Sequence, residues 1–185
     1  MTPSNEERSL SGFIDDVLRP SIENLTRRFL DGLLELDAWQ KAVAGELKQA
    51  HIVASILGRG GRDRMTYADW GRVGGRLRSE FRFLDNFARE ILGGKLTAAQ
   101  ILARAGAYID AARQSFFSAK TTSETEDGAE WEQRFLGASE SCDDCVRYAA
   151  MGRQPIGTLP EPGERSICGN NCQCVKIYGR DSGDV

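Results

Sequence analysis

The chain has 185 residues, with 41 % hydrophobic and 28 % charged side chains. That composition is ordinary for a soluble globular protein with one core or one core plus a small appendage. A net charge of −3 excludes a globally basic nucleic-acid binder. The single histidine, His51, excludes a multi-histidine metal site and leaves little room for a Ser/His or Cys/His pair.

Residues 1–19 carry acids and no uninterrupted apolar stretch, which is not the pattern of a secretory signal. No apolar run approaches the roughly 20 residues of a membrane-crossing helix, so no membrane role is expected. From Ile22 the apolar positions recur every three or four residues through Leu25, Phe29, Leu33, Leu36, Trp39, Val43, Leu47, Ala50, Val53 and Leu57. This is one stripe of a long helix. Unbroken, it would run about 54 Å. Pro20 stands at its start, and Gly32 and Gly45 are its weak points. Such a stripe needs partners, which suggests oligomerisation or docking. His51 falls at the stripe's edge, as a boundary residue.

A glycine- and arginine-rich break follows at residues 58–64. Thr66 and Asp69 then resemble a capping box, and the next stripe runs Trp70, Val73, Leu77, Phe81, Leu84, Ala88, Ile91. Gly93-Gly94 ends it. Thr97 and Gln100 cap a third helix with the stripe Ile101, Ala105, Tyr108, Ala112, Phe116. Three helices with short connections predict a mainly α fold, an antiparallel bundle over residues 1–120. Gly71, Gly74 and Gly75 lie inside the second helix after no strand. Close helix packing explains them better than a nucleotide loop.

Residues 119–130 are almost devoid of apolar side chains, and residues 121–144 hold eight acids against one arginine. Residues 121–138 are therefore expected to be an acidic linker, with Trp131, Phe135 and Leu136 docking a short helix. Residues 139–180, with prolines at 155, 160 and 162, read as a small α+β module of turns and short strands, one around 175–178. The paired acids Asp15-Asp16 and Asp143-Asp144 are adjacent in sequence, so on a helix they diverge and make weak acid/base pairs.

All five cysteines lie in that last module: Cys142, Cys145, Cys168, Cys172 and Cys174. The order is C-x2-C, a spacer, then C-x3-C-x-C. A C-x2-C turn offers two thiolates to one tetrahedral ion, and a second cluster can complete four. Cys142, Cys145 and Cys168 with either Cys172 or Cys174 would make a closed structural zinc site, a zinc-knuckle-like arrangement. A disulfide-stapled knuckle and unbound thiols are the alternatives, and the odd count fits full pairing poorly. A metal would account for a fold in a segment this poor in large apolar side chains.

Between Gly58 and Arg89 eight arginines face four acids. Arg59, Arg62, Arg64, Arg72 and Arg76 are the candidates for phosphate contact, giving a nucleic-acid-binding module as the alternative function. A salt-bridged, solvated helix face is the competing explanation.

Two segments carry a resemblance. Cys142-Asp-Asp-Cys145, Leu159-Pro160 and Cys168-Gly-Asn-Asn-Cys-Gln-Cys174 resemble the terminal module of phage head morphogenesis proteins, the minor head proteins similar to the F protein of phage Mu. Residues 65–74 and 100–105 resemble helical parts of phage and prophage structural proteins. That family often has His where this chain has Gly169, and Arg where it has Gln173; Cys168 would then replace the histidine ligand. The resemblance implies a non-enzymatic component of the virion, present in few copies. Its implied partners are the portal, other head proteins or packaged DNA. Its implied location is the phage head, or the host cytoplasm during assembly.

Overall fold

The computed structural model describes residues 4–181. Helices α1 (Asn5–Gly12), α2 (Arg19–Leu30), α3 (Leu36–Arg59), α4 (Tyr67–Leu92), α5 (Ala98–Asp110) and α6 (Ala112–Glu126) form the bundle. Strand β1 (Trp131–Phe135), helix α7 (Asp143–Ala150), β2 (Gln154–Pro155) and β3 (Val175–Gly179) form the module. The mainly α architecture with a small C-terminal α+β unit agrees with the expectation from sequence. No helix among the described residues is long and apolar enough to cross a membrane.

The long first helix divides in two. Gly32 adopts φ +72 after α2, its N–H bonds Phe29 O, and Leu33 N–H reaches back to Arg28 O at 2.8 Å. This is a Schellman-type ending, which only a residue tolerant of positive φ enters cheaply. Leu33, counted into the stripe, is consequently exposed. A second departure precedes Pro20. Residues Phe13–Leu18 are π-helical, so the helical path widens one turn before a residue that cannot donate to the preceding turn.

Both capping boxes form. Thr66 accepts from Asp69 N and Thr97 from Gln100 N, with the reciprocal side-chain bonds present. The stripes of α4 and α5–α6 face inward as predicted. Trp39 is fully buried at the centre of an aromatic run, 5.4 Å from Phe29 and 5.6 Å from Phe87, which stacks on Tyr108. Its indole N–H donates to Thr26 Oγ1, so the core tryptophan carries no orphan donor.

The closest helix approach lies elsewhere than predicted. Gly71, Gly74 and Gly75 have open space where a Cβ would go. At Gly58, by contrast, a Cβ would sit 2.2 Å from Phe116 O, and α3 packs most extensively on α6.

The predicted linker is the correction with most consequence. Helix α6 continues unbroken to Glu126, with Thr121 and Ser123 buried. Two of its hydroxyls point inward: Ser123 donates to Arg59 O, and Thr121 reaches Glu161 and Tyr178. The segment is polar because its partners are polar. The predicted short helix at 131–136 is instead strand β1, central in an antiparallel sheet of order β2-β1-β3. Trp131 lies across Gly179, where a Cβ would come within 2.2 Å of the indole.

His51 is fully buried and not a boundary residue; its Nδ1 lies 2.7 Å from Ser115 Oγ. Burial, helped by the charge of Arg76, pulls its pKa down to about 4. Unfolding restores a value near 6.5, so the unfolded chain binds the proton first as pH falls. Stability contributed by this site is complete above pH 6.5 and is lost on descending towards pH 4, by about 3 kcal/mol. Denaturant midpoints measured at pH 7 and pH 4.5 check this: His51→Gln should lose markedly less stability over that interval than the natural chain.

Candidate metal centre

The thiols are brought together by three pieces of local structure. Cys142 is the N-cap of α7 and Cys145 lies in its first turn, so one helical start presents both. Cys168 and Cys172 bracket the 3-10 turn Gly169–Asn171. Cys174 immediately precedes β3. Gly137 permits the crossing beneath: a Cβ there would strike Gln173 O at 1.9 Å.

Cys145 is the hub. Its Sγ lies 3.6 Å from Cys168 Sγ and 3.6 Å from Cys172 Sγ. Two sulfur triads result, Cys142–Cys145–Cys168 and Cys145–Cys172–Cys174, each with all members within 4.8 Å of one another. No disulfide is formed; all five are free thiols. Cys145, Cys172 and Cys174 are buried, Cys142 and Cys168 half-buried. The cluster could hold a metal ion, and all five predicted ligand candidates belong to it. The 3.6 Å separations suit a tetrahedral site, whose sulfur–sulfur edge is about 3.8 Å when Zn–S is near 2.3 Å. Burial pushes the Cys145 thiol well above its usual range. At Cys142 burial also raises the pKa, but backbone donors from Cys145 and Cys168 outweigh it and bring it down to about 7.

Beneath the cluster lies a charged core that the sequence did not signal. Lys176 Nζ sits 2.7 Å from Glu132 Oε2 and 3.4 Å from Glu161 Oε2, and donates to Leu159 O. Glu132 and Lys176 are fully buried. Glu132 Oε1 accepts from Leu159 N at 2.6 Å, while Arg134 donates to Pro160 O. The Leu159-Pro160 arm is thus clamped onto the sheet, and Thr121 of α6 ties the same group to the bundle. On strand β1, Glu132 and Arg134 are two residues apart and so share a face, which a helical reading of 131–136 hides. Nothing local signals that α6 and the Leu159-Pro160 arm cover that face.

The five arginines considered for phosphate contact are placed differently. Arg59 is buried, with Nε 3.2 Å from Asp69 and Nη2 2.7 Å from Glu126. Arg64 forms a bidentate pair with Asp127, Arg72 pairs with Asp69, and Arg76 donates to Gln114. Arg62 is exposed. Arg59, Arg64 and Arg72 therefore bind the α3–α4 turn to its own capping acid and to the end of α6. Sequence spacing could not find Glu126 and Asp127, which lie more than 60 residues away.

A cavity of about 720 Å³ opens between α4 and the α5–α6 pair, lined by Arg76, Glu80, Phe83, Tyr108 and Ser115 among others. Burial raises the pKa of Glu80 there. Comparison with protein-family models, curated proteins and solved structures finds no match to the chain.

Proposed function

We propose that this chain is a non-enzymatic structural protein of a phage or prophage head, of minor-head or head-morphogenesis type. It acts through protein contacts, and a zinc ion on its thiols holds the C-terminal module. One observation carries the reading. The three stretches that bear the resemblance to head morphogenesis proteins build a single unit: both cysteine clusters converge on Cys145, and the Leu159-Pro160 arm locks onto the strand leading into them. Zinc suits an all-thiolate donor set and tetrahedral spacing. Four thiolates close its coordination shell and leave no position for a reacting water, which favours a structural over a catalytic ion.

The module's outer surface supports contact with other proteins. Val146, Met151 and Ile167 are exposed, and Ile167 N is bonded to Asp144 of α7 at 2.9 Å. The test is particle composition. With the protein tagged at its own locus in the phage or lysogen, quantitative mass spectrometry of purified heads and proheads should find it at a few copies per particle. Recovery only from the particle-free fraction would contradict the proposal.

A further inference from the structure

The cavity between α4 and the α5–α6 pair, about 720 Å³, has the size of a small-molecule site, and none of its lining residues belongs to the cysteine module. Its charged wall is unevenly neutralised. Arg72 pairs with Asp69 and Arg104 with Glu90. Arg76 instead donates to the neutral carbonyl oxygen of Gln114 at 2.5 Å, and among the described residues it has no carboxylate partner. Glu80 follows one turn later on α4 and is only 8 % exposed. Among the described residues its carboxyl has neither a hydrogen bond nor an ion pair, a costly state for a buried acid. The charge of Arg76 acts on Glu80, yet the two form no ion pair with each other. The buried hydroxyl of Ser55 lines the same space. Val73 and Phe83 supply apolar wall, and Gly75 keeps the cavity open: a Cβ there would meet nothing within 4 Å.

We propose that this cavity binds a free α-amino acid with an apolar side chain, its carboxylate on the Arg76 guanidinium, its ammonium on the Glu80 carboxylate and its side chain against Val73 and Phe83. A cation and an acid one helical turn apart, each without its own counter-charge, call for a ligand that carries both charges on one carbon. A simple anion would satisfy Arg76 and leave a buried acid beside it unpaired. A simple amine would satisfy Glu80 and leave the guanidinium. Burial alone favours the neutral form of Glu80, and an ammonium seated on it would restore the ionised one. The site is independent of the thiol cluster and of whether an ion is bound there.

The experiment is isothermal titration calorimetry of the full chain with four probes: L-phenylalanine, L-leucine, hydrocinnamate, which lacks the ammonium, and phenethylamine, which lacks the carboxylate. At least one of the two amino acids should bind saturably with Kd below about 1 mM. Each analogue should bind at least about tenfold more weakly, the effect of losing one hydrogen-bonded charge. Glu80→Gln should weaken the amino acid by a similar factor and leave hydrocinnamate unchanged. Arg76→Gln should weaken it likewise and leave phenethylamine unchanged. Gly75→Leu fills the cavity with a better helix former, so it should abolish binding while circular dichroism shows the helices intact. That variant and the analogue series test the site even where a charge change harms folding. No saturable binding of either amino acid at about 10 mM would overturn the proposal. So would equal affinity for amino acid and both analogues, or binding undiminished in Gly75→Leu.

Discussion

Replacing Lys176 by methionine is expected to destabilise the protein by about 3–5 kcal/mol, the range for removing one partner of a buried ion pair. Glu132 would be left with no exposure to water and no cation, and Glu161 would lose its nearest one. Leu159 O and Thr121 would lose a donor in the same change. The loss should therefore reach beyond the sheet to the contact between module and bundle. The double variant Glu132→Gln/Lys176→Met should recover part of the loss, because the fully buried carboxylate at position 132 is then neutral. Urea unfolding of the three proteins measures this. A Lys176→Met variant within about 1 kcal/mol of the natural chain would show that the pair is hydrated and does not clamp the arm.

The same ion pair shows where sequence reading ran out. Helix starts were legible because their chemistry is local: Thr66 with Asp69 and Thr97 with Gln100 are three residues apart and make the bonds expected of them. The stripes of α4 and α5 were legible because burial follows a 3.6-residue period. The break after α2 was visible as Gly32 but was overridden, since Trp39, Val43 and Leu47 of α3 continue the apolar spacing across the turn. The junction of α5 and α6 at Ala111 has neither glycine nor proline, and nothing local marks it. The end of α6 was misjudged for a different reason. Composition counts Thr121, Ser123 and Glu126 as solvent-seeking, whereas each satisfies a group contributed by a distant segment: Glu161 and Tyr178, Arg59 O, and the Arg59 guanidinium. Arg59 itself was read as a surface cation and is buried for the same reason.

The cysteines were the opposite case. Their types and spacing define a donor set wherever the chain runs, so the candidate site was complete before the fold was known. What spacing could not supply was the role of Cys145 as the shared sulfur, because that depends on α7 placing it between Cys168 and Cys172.

The second large effect concerns removal of the ion. Among the described residues the apolar cluster of the module consists of Cys142, Cys145, Cys168, Cys172 and Cys174, while the main apolar core lies in the bundle. The loop between β2 and β3 carries little apolar side-chain mass beyond buried Leu159. On the proposed zinc-bound reading the module's shape depends on ligation, since structural zinc sites contribute about 10–16 kcal/mol of apparent binding free energy at neutral pH. Cys145→Ser removes the one sulfur common to both triads and should abolish metal uptake outright. Helices α3 to α6 should survive that loss, since Trp39, Phe87, Tyr108 and Phe116 pack without the module.

The most direct measurement is the metal content of the natural chain purified under reducing conditions, followed by amide hydrogen exchange before and after chelation. The account predicts one zinc per chain. It also predicts that stripping the ion brings residues 142–174 to rapid exchange while α3 and α6 stay protected. A metal-free chain whose module is already protected, or a chelated one that exchanges no faster, would contradict it.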